Sequence, residues 1–180
     1  QQLTKPQIRG LLGEMWFGFT QLVQTSDFKA VVNAWRGPFK SPQDFNFPSG
    51  HAYEVKTTYS DTSSVRISSA EQLDADNRVL DLVVVTMADV DENTPDAFSL
   101  PTMFQDIDNA LDPVEREQLR KCFRELSVDP TDTYYTDFWF RVDACTSYRV
   151  SPEFPAIRRT SLSPIIDEVN YEIALYGIAE

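Results

Sequence analysis

Asp44, Glu54 and Lys56 are residues whose types and spacing could do chemistry. They fall in DFNFPSGHAYEVKTT, residues 44–58, which reads as two strands joined by a Pro48-Ser49-Gly50 turn. On a strand, residues i and i+2 share a face, so Glu54 and Lys56 stand together while Tyr53 and Val55 take the other side. Two carboxylates on adjacent strands can share one hard divalent cation. Mg²⁺ favours an octahedron of oxygens, commonly one or two carboxylates with waters and a phosphate oxygen. The Val55 carbonyl could supply a further oxygen. Such a cation polarises a phosphodiester and acidifies a water. Lys56 beside it could orient that water or offset charge developing on the phosphate. Together these are the requirements of metal-dependent phosphodiester hydrolysis. The plainer alternative is an exposed Glu54–Lys56 pair, contributing under about 1 kcal/mol.

A third acid, Glu14, belongs to a helical stretch. Its neighbours three and four residues away are Gly10, Leu11, Phe17 and Gly18, none of them basic. No intrahelical ion pair accounts for it, and a distant partner in the sheet fits.

The elements that must position these groups follow from periodicity. Ile8, Leu11, Leu12, Met15, Phe19, Leu22 and Val23 predict a helix over 5–24, capped by Thr4 with Pro6 in its first turn. Residues 27–36 are a short helix or an extended segment, ended by Arg36-Gly37-Pro38. Strands are expected over 44–47, 51–58 and 65–68, with a helix or turn over 69–73. The apolar run 79–85 reads as a strand buried on both faces. Residues 91–101 form a Pro- and acid-rich linker. Two amphipathic helices follow, the second over 113–126 with Asp112 as its cap and Glu115 completing a capping-box-like start. Residues 134–150 read as one or two strands and 169–175 as a last one. The order implies an α/β core over 1–90 and a C-terminal α+β extension over 91–180, packed as one unit.

Composition narrows the classes. With 42% hydrophobic residues, 180 residues suffice for one core. No apolar run approaches a membrane-spanning length. The chain lacks an initiator Met, and Gln1-Gln2 leads straight into the first helix, as in a fragment or processed chain. The net charge of −12 opposes non-specific DNA binding. It is uneven, however: residues 1–70 carry seven Lys/Arg against five Asp/Glu, and residues 71–180 nine against twenty-three. Cys122 and Cys145 make neither a disulfide framework nor a zinc site and read as free, buried thiols of a cytoplasmic chain. With His51 the only histidine, a Ser-His-Asp or Cys-His site would depend on it, and no nucleophile elbow flanks it. No glycine loop cradles phosphate. Arg116, Arg120 and Arg124 read as a solvated helix face, with a DNA-backbone contact as the lesser alternative, and Trp16, Trp35 and Trp139 as core or core-edge aromatics.

Glu14, Asp44 and Glu54-Val55-Lys56, on helix, strand and strand, resemble the PD-(D/E)xK nuclease superfamily. The stretches GLLGEMWF (10–17), AVVNAWRGP (30–38), DFNF and YEVKTT (44–58), VRISSAEQL (65–73) and YRVSPEFPAI (148–157) resemble a bacterial family of PD-(D/E)xK members of unknown function. The resemblance implies a restriction-endonuclease-like fold, a mixed central sheet flanked by helices. It implies a Mg²⁺-dependent DNA endonuclease, with Mn²⁺ able to substitute, of a restriction or phage-defence system. Asp44 then matches the first metal acid, Glu54 the second and Lys56 the signature lysine. Glu14 matches the helix acid near the metal or its waters, and Gln72 a secondary polar position. The Pro of the signature does not directly precede Asp44: Pro42 stands two residues before it, with Gln43 between where a His is expected. DNA, other defence-system proteins and a second copy are the implied partners, and no membrane is. A different reading is a catalytically silent DNA-recognition or assembly module of a defence complex.

Overall fold

The strand that organises the fold is VLDLVVVTMAD, Val79–Asp89, here β4. Its β-branched side chains suit a pleated, doubly covered surface. In the computed structural model, which describes residues 2–178, β4 lies at the centre of a four-stranded sheet of order β1-β2-β4-β5. The partners are β1 (Phe45–Asn46), β2 (His51–Thr58) and β5 (Phe140–Arg149). β2 runs parallel to β4, whereas β1 and β5 run antiparallel to their neighbours. Between β2 and β4 the chain forms β3 (Ser64–Ile67), which pairs antiparallel with β6 (Tyr171–Ala174) in a second, two-stranded sheet.

Strand periodicity divides the core in two. Val55, Val83, Val85 and Met87 face the helices α1 (Lys5–Trp16), α2 (Phe28–Ala34), α3 (Leu100–Ala110) and α4 (Pro113–Leu126). Ala52, Leu80, Leu82 and Val84 face the opposite way, against Val65, Ile67 and Ile173 of the small sheet. The result is the mixed α/β architecture of a restriction-endonuclease-like core. Residues 1–90 and 91–180 are interleaved in it, because β5 and β6 complete sheets begun by the first half.

Several expectations need correction. The helix expected over 5–24 is α-helical only to Trp16; a π-turn over Phe17–Gln21 and a 3-10 turn over Leu22–Gln24 follow. The wider turn shifts the helical phase, so Phe17 and Phe19 are both buried. Of the two readings of 69–73 the turn holds, over residues 70–73, whereas β4 runs on past 85 to Asp89. Asp112 makes no side-chain cap, and Glu115 is buried with Oε2 unpartnered. Cys145 is exposed, since it sits on the part of β5 that neither layer covers, whereas Cys122 is buried. Gln1 lies outside the described residues, among which no helix is long and apolar enough to cross a membrane.

Candidate active site

The site grows from a strand that stops early. β1 pairs only Phe45 with Tyr53 and Asn46 with Ala52, so the outer edge of β2 has no strand partner from Glu54 onward. Asp44, one residue before β1, takes the vacant place with its side chain. Its Oδ2 accepts the Val55 N–H at 2.7 Å. The Asp44 carbonyl is held in turn by the N–H groups of Arg36 at 2.6 Å and Gly37 at 3.1 Å. The N–H and C=O of one strand residue leave on the same edge, so the Val55 carbonyl faces this open edge as well.

Glu14 arrives at the same edge from the helical layer. It can do so because α1 lies against β2 without a side chain between them: a Cβ at Gly13 would stand 1.9 Å from Thr57 Oγ1. A second glycine keeps the acids together. A Cβ at Gly37 would lie 2.5 Å from Glu14 Oε2 and 3.0 Å from Asp44 Oδ1, so both carboxylates converge on one spot that only glycine leaves open. Trp35 Nε1 donates to Glu14 Oε2 at 2.8 Å and fixes its direction.

Glu54 and Lys56 come from the other face of the sheet. Glu54 is 1% exposed, which removes the exposed-pair alternative. Its Oε1 lies 2.8 Å from Lys56 Nζ, and its Oε2 is buried with no partner. Lys56 Nζ also donates to Gln72 Oε1 at 3.1 Å, and that oxygen accepts the Ser68 N–H at 2.7 Å. Gln72 thus ties the lysine to the backbone of the turn after β3.

Three acids thus share one ammonium. Burial pushes the Asp44 carboxyl up to about 6, against the pull of the Val55 N–H and of Lys56. Burial raises Glu14 and Glu54 well above the usual carboxylate range, and the charge of Asp44 raises both further. Lys56 works in the opposite direction on each. Ionised together, these groups carry uncompensated negative charge, which a divalent cation relieves. An all-oxygen donor set with an orphaned buried carboxylate oxygen suits Mg²⁺ or Mn²⁺. Among the described residues, however, no set of three His, Cys, Asp or Glu side chains stands in ready metal-binding geometry. One oxygen of each acid is engaged, by Trp35, Val55 or Lys56.

A cleft of about 400 Å³ opens beside the acids, lined by Arg9, Glu14, Val55, Lys56 and Arg66 among others. Trp35, Gly37 and Gln43 also belong to the site, and sequence reasoning assigned them no part in it. Gln43 is 1% exposed and donates to the carbonyls of Glu71 at 2.7 Å and Gln72 at 3.2 Å, tying the Asp44 segment to the turn that holds Lys56. The Trp-Arg-Gly-Pro run marked only a chain break, and nothing in its pattern signalled a carboxylate partner. His51 stands apart from the acids, bonded to Asp81. Arg116 and Arg120 lie near Asp108, and Arg124 pairs with Glu117, as a solvated helix face would.

One comparison with known proteins found a match. The family model described as "Putative PD-(D/E)XK family member, (DUF4420)" matches residues 1–176. No curated protein and no solved structure matches the chain.

Proposed function

The chain belongs to this PD-(D/E)XK-type, nuclease-like family, and from that premise we propose that it is a Mg²⁺-dependent DNA endonuclease. The observation that carries the reading is the convergence of Glu14 and Asp44 on Gly37 at the open edge of β2, with Glu54 near enough for its charge to be felt by Glu14 and for it to feel that of Asp44, and with Lys56 held on Glu54. Asp44 and Glu54 would hold the cation, with the Val55 carbonyl on the same edge and Glu14 placed for its water shell. When bound, the cation would supply Lewis-acid activation of the phosphodiester and of the attacking water. Glu54 and Gln72 hold the Lys56 ammonium at a fixed position, where it can orient that water or meet charge building on the phosphate. Trp35 keeps Glu14 turned toward Asp44. The setting we propose, on the resemblance alone, is restriction or phage defence.

The test pairs metal binding with cleavage. Calorimetric titration with Mn²⁺ is expected to show a site that Asp44→Ala and Glu54→Ala both lose. Supercoiled plasmid with Mg²⁺ is expected to be nicked or linearised by the parent chain and left intact by Lys56→Ala. Mn²⁺ binding without cleavage would favour the second reading, a silent recognition or assembly module. That reading is supported by the engagement of each acid by a protein partner.

A further inference from the structure

The net charge of −12 hides how the cations are spent. Lys5, Arg116, Arg120, Arg124, Arg141, Arg149 and Arg159 each lie against a carboxylate. Among the described residues, Arg9, Arg36, Arg66 and Arg78 make no ion pair, nor do Lys29, Lys40, Lys121 and Arg158, but the first four line the two clefts that flank the acids. These four stand two by two on either side of the acids.

On the Asp44 side, a cleft of about 630 Å³ is lined by Arg36 and Arg78, with Asn33, Asn46, Phe39 and Phe47, and among the described residues no carboxylate lines it. Arg78 is pinned in the cleft. It donates to Gln43 Oε1 at 2.9 Å, to Asn46 Oδ1 and to the Ala75 carbonyl at 3.4 Å. All three acceptors are neutral, so the guanidinium is oriented while its charge stays uncancelled. Arg36 is exposed, with its Cζ 4.9 Å from the centre of the Phe39 ring. Its backbone N–H holds the Asp44 carbonyl, which places the cleft directly beside the acids. On the Lys56 side, Arg9 stacks on Tyr59 at 3.4 Å, and Arg66 donates to Asn170 Oδ1 at 2.9 Å, again a neutral partner. Among the described residues, Glu14 is the only acid lining that cleft. By contrast, the apolar cleft between Met15 and Ile107 carries Asp96 and Asp106 and no cation.

We propose that a DNA backbone crosses the acid cluster along this track, with phosphates held by Arg36 and Arg78 on one side and by the exposed Arg66 on the other, where the charge of Arg9, buried behind Tyr59, backs the cleft. The inference rests on the nuclease reading for its substrate but not for its test. Oriented guanidiniums without carboxylate partners are suited to phosphate oxygens, and the acids between them are where a cation would bridge to the strand. The sequence-wide objection from net charge weighs less on the track, because most of the excess carboxylates belong to residues 71–180, and the acids on the track are the ones a cation would neutralise.

Binding of a fluorescein-labelled DNA duplex, followed by anisotropy in EDTA over a range of salt, separates the track from catalysis. Each lost phosphate contact lowers the salt slope by about 1. Arg36→Ala and Arg66→Ala are each expected to weaken binding to unrelated duplexes alike and to lower the slope by that amount. Arg36→Lys is expected to restore the slope. Arg120→Ala, on the outer face of α4, is expected to change nothing. Melting curves that match the parent's show that the variants fold. No duplex binding by the parent, unchanged slopes in Arg36→Ala and Arg66→Ala, or an equal drop in Arg120→Ala would each overturn the track. If slopes fall as expected but Mg²⁺ yields no cleavage, the track stands and the nuclease reading falls. If plasmid is cleaved and the slopes do not move, the reverse holds.

Discussion

One strand, β2, carries a charged cluster at each end, and the two are balanced in opposite ways. At its start, Asp81 of β4 is 7% exposed and fully paired: Oδ2 lies 2.7 Å from His51 Nε2 and Oδ1 2.6 Å from Arg149 Nε. The His51 ring stacks on Tyr53 with centroids 4.3 Å apart. One carboxylate meets two nitrogen groups and nothing is left over. At the far end, three carboxyls meet one ammonium, and a buried Glu54 oxygen has no partner. Burial is expensive for ions unless they are paired. The fold settles this balance at His51 and leaves it open at Lys56, which accords with the cation site proposed there.

The comparison breaks most sharply in activity. Lys56→Ala is expected to lower the plasmid-cleavage rate by about 10²–10³-fold, the usual loss for removing a charge that stabilises a transition state. Asp81→Ala should leave the cleavage rate per folded molecule unchanged. Equal losses in both variants would show that the two clusters do not differ in kind.

Stability should divide them the other way. Asp81→Ala leaves His51 and Arg149 without their acceptor and is expected to cost about 1–3 kcal/mol, read from urea melts. The partial exposure of both partners keeps the figure in that range. Glu54→Gln removes a buried charge that the metal-free fold has to tolerate. It should raise the melting temperature at pH 8 in EDTA, and a fall there would make Glu54 a structural residue.

The pH dependence sharpens the same contrast. A carboxyl whose folded pKa lies above its unfolded one holds its proton more tightly in the fold. Its contribution to stability is complete below the unfolded value, 3.8 for Asp44, and is lost as pH rises through about 6. Glu14 and Glu54 shift the same way and extend the loss to higher pH. The metal-free chain should therefore lose stability from this end between about pH 4 and 6 and beyond. Mg²⁺ should raise the melting temperature more at pH 8 than at pH 5, because at pH 5 it must displace protons. Asp44→Asn should flatten the difference. A Mg²⁺ effect equal at both pH values would separate the metal from these acids.

How much of this was legible in the sequence depended on range. Glu54 and Lys56 shared a face by strand alternation, and the apolar run at β4 marked the central strand. Asp44 could be placed beside them because a short turn separates the two strands. The isolation of Glu14 pointed to a distant partner without naming it. What could not be read were contacts that alternation and helical period do not encode. The Trp35 hydrogen bond, the glycines that let α1 and the 37–39 turn close on the acids, and the Gln43 bridge to the Gln72 turn all depend on packing between elements. The π-turn after Trp16 was hidden for a related reason: apolar residues on every side of 5–24 fit a longer helix as well as a phase shift. Gln43 shows the limit most plainly, because as a departure from the family pattern it drew attention to a missing His and not to the amide's own bonds.

The smallest expected effect tests whether the open cluster depends on its supports. Gln72 Oε1 accepts from Lys56 Nζ and from the Ser68 N–H, so one oxygen both receives the ammonium and is itself fixed by backbone. Gln72→Ala leaves Glu54 as the only partner of Lys56 in the site. The ammonium then swings about one contact instead of sitting between two, and the cost falls on orientation. The cleavage rate is expected to fall about tenfold at unchanged Mn²⁺ affinity, since the acids are untouched. Gln72→Glu keeps an acceptor at that place and should recover much of the loss, although it adds a fourth acid to the site. If Gln72→Ala weakened Mn²⁺ binding instead of the rate, the amide would be acting on the carboxylates, and Lys56 would be held by Glu54 alone.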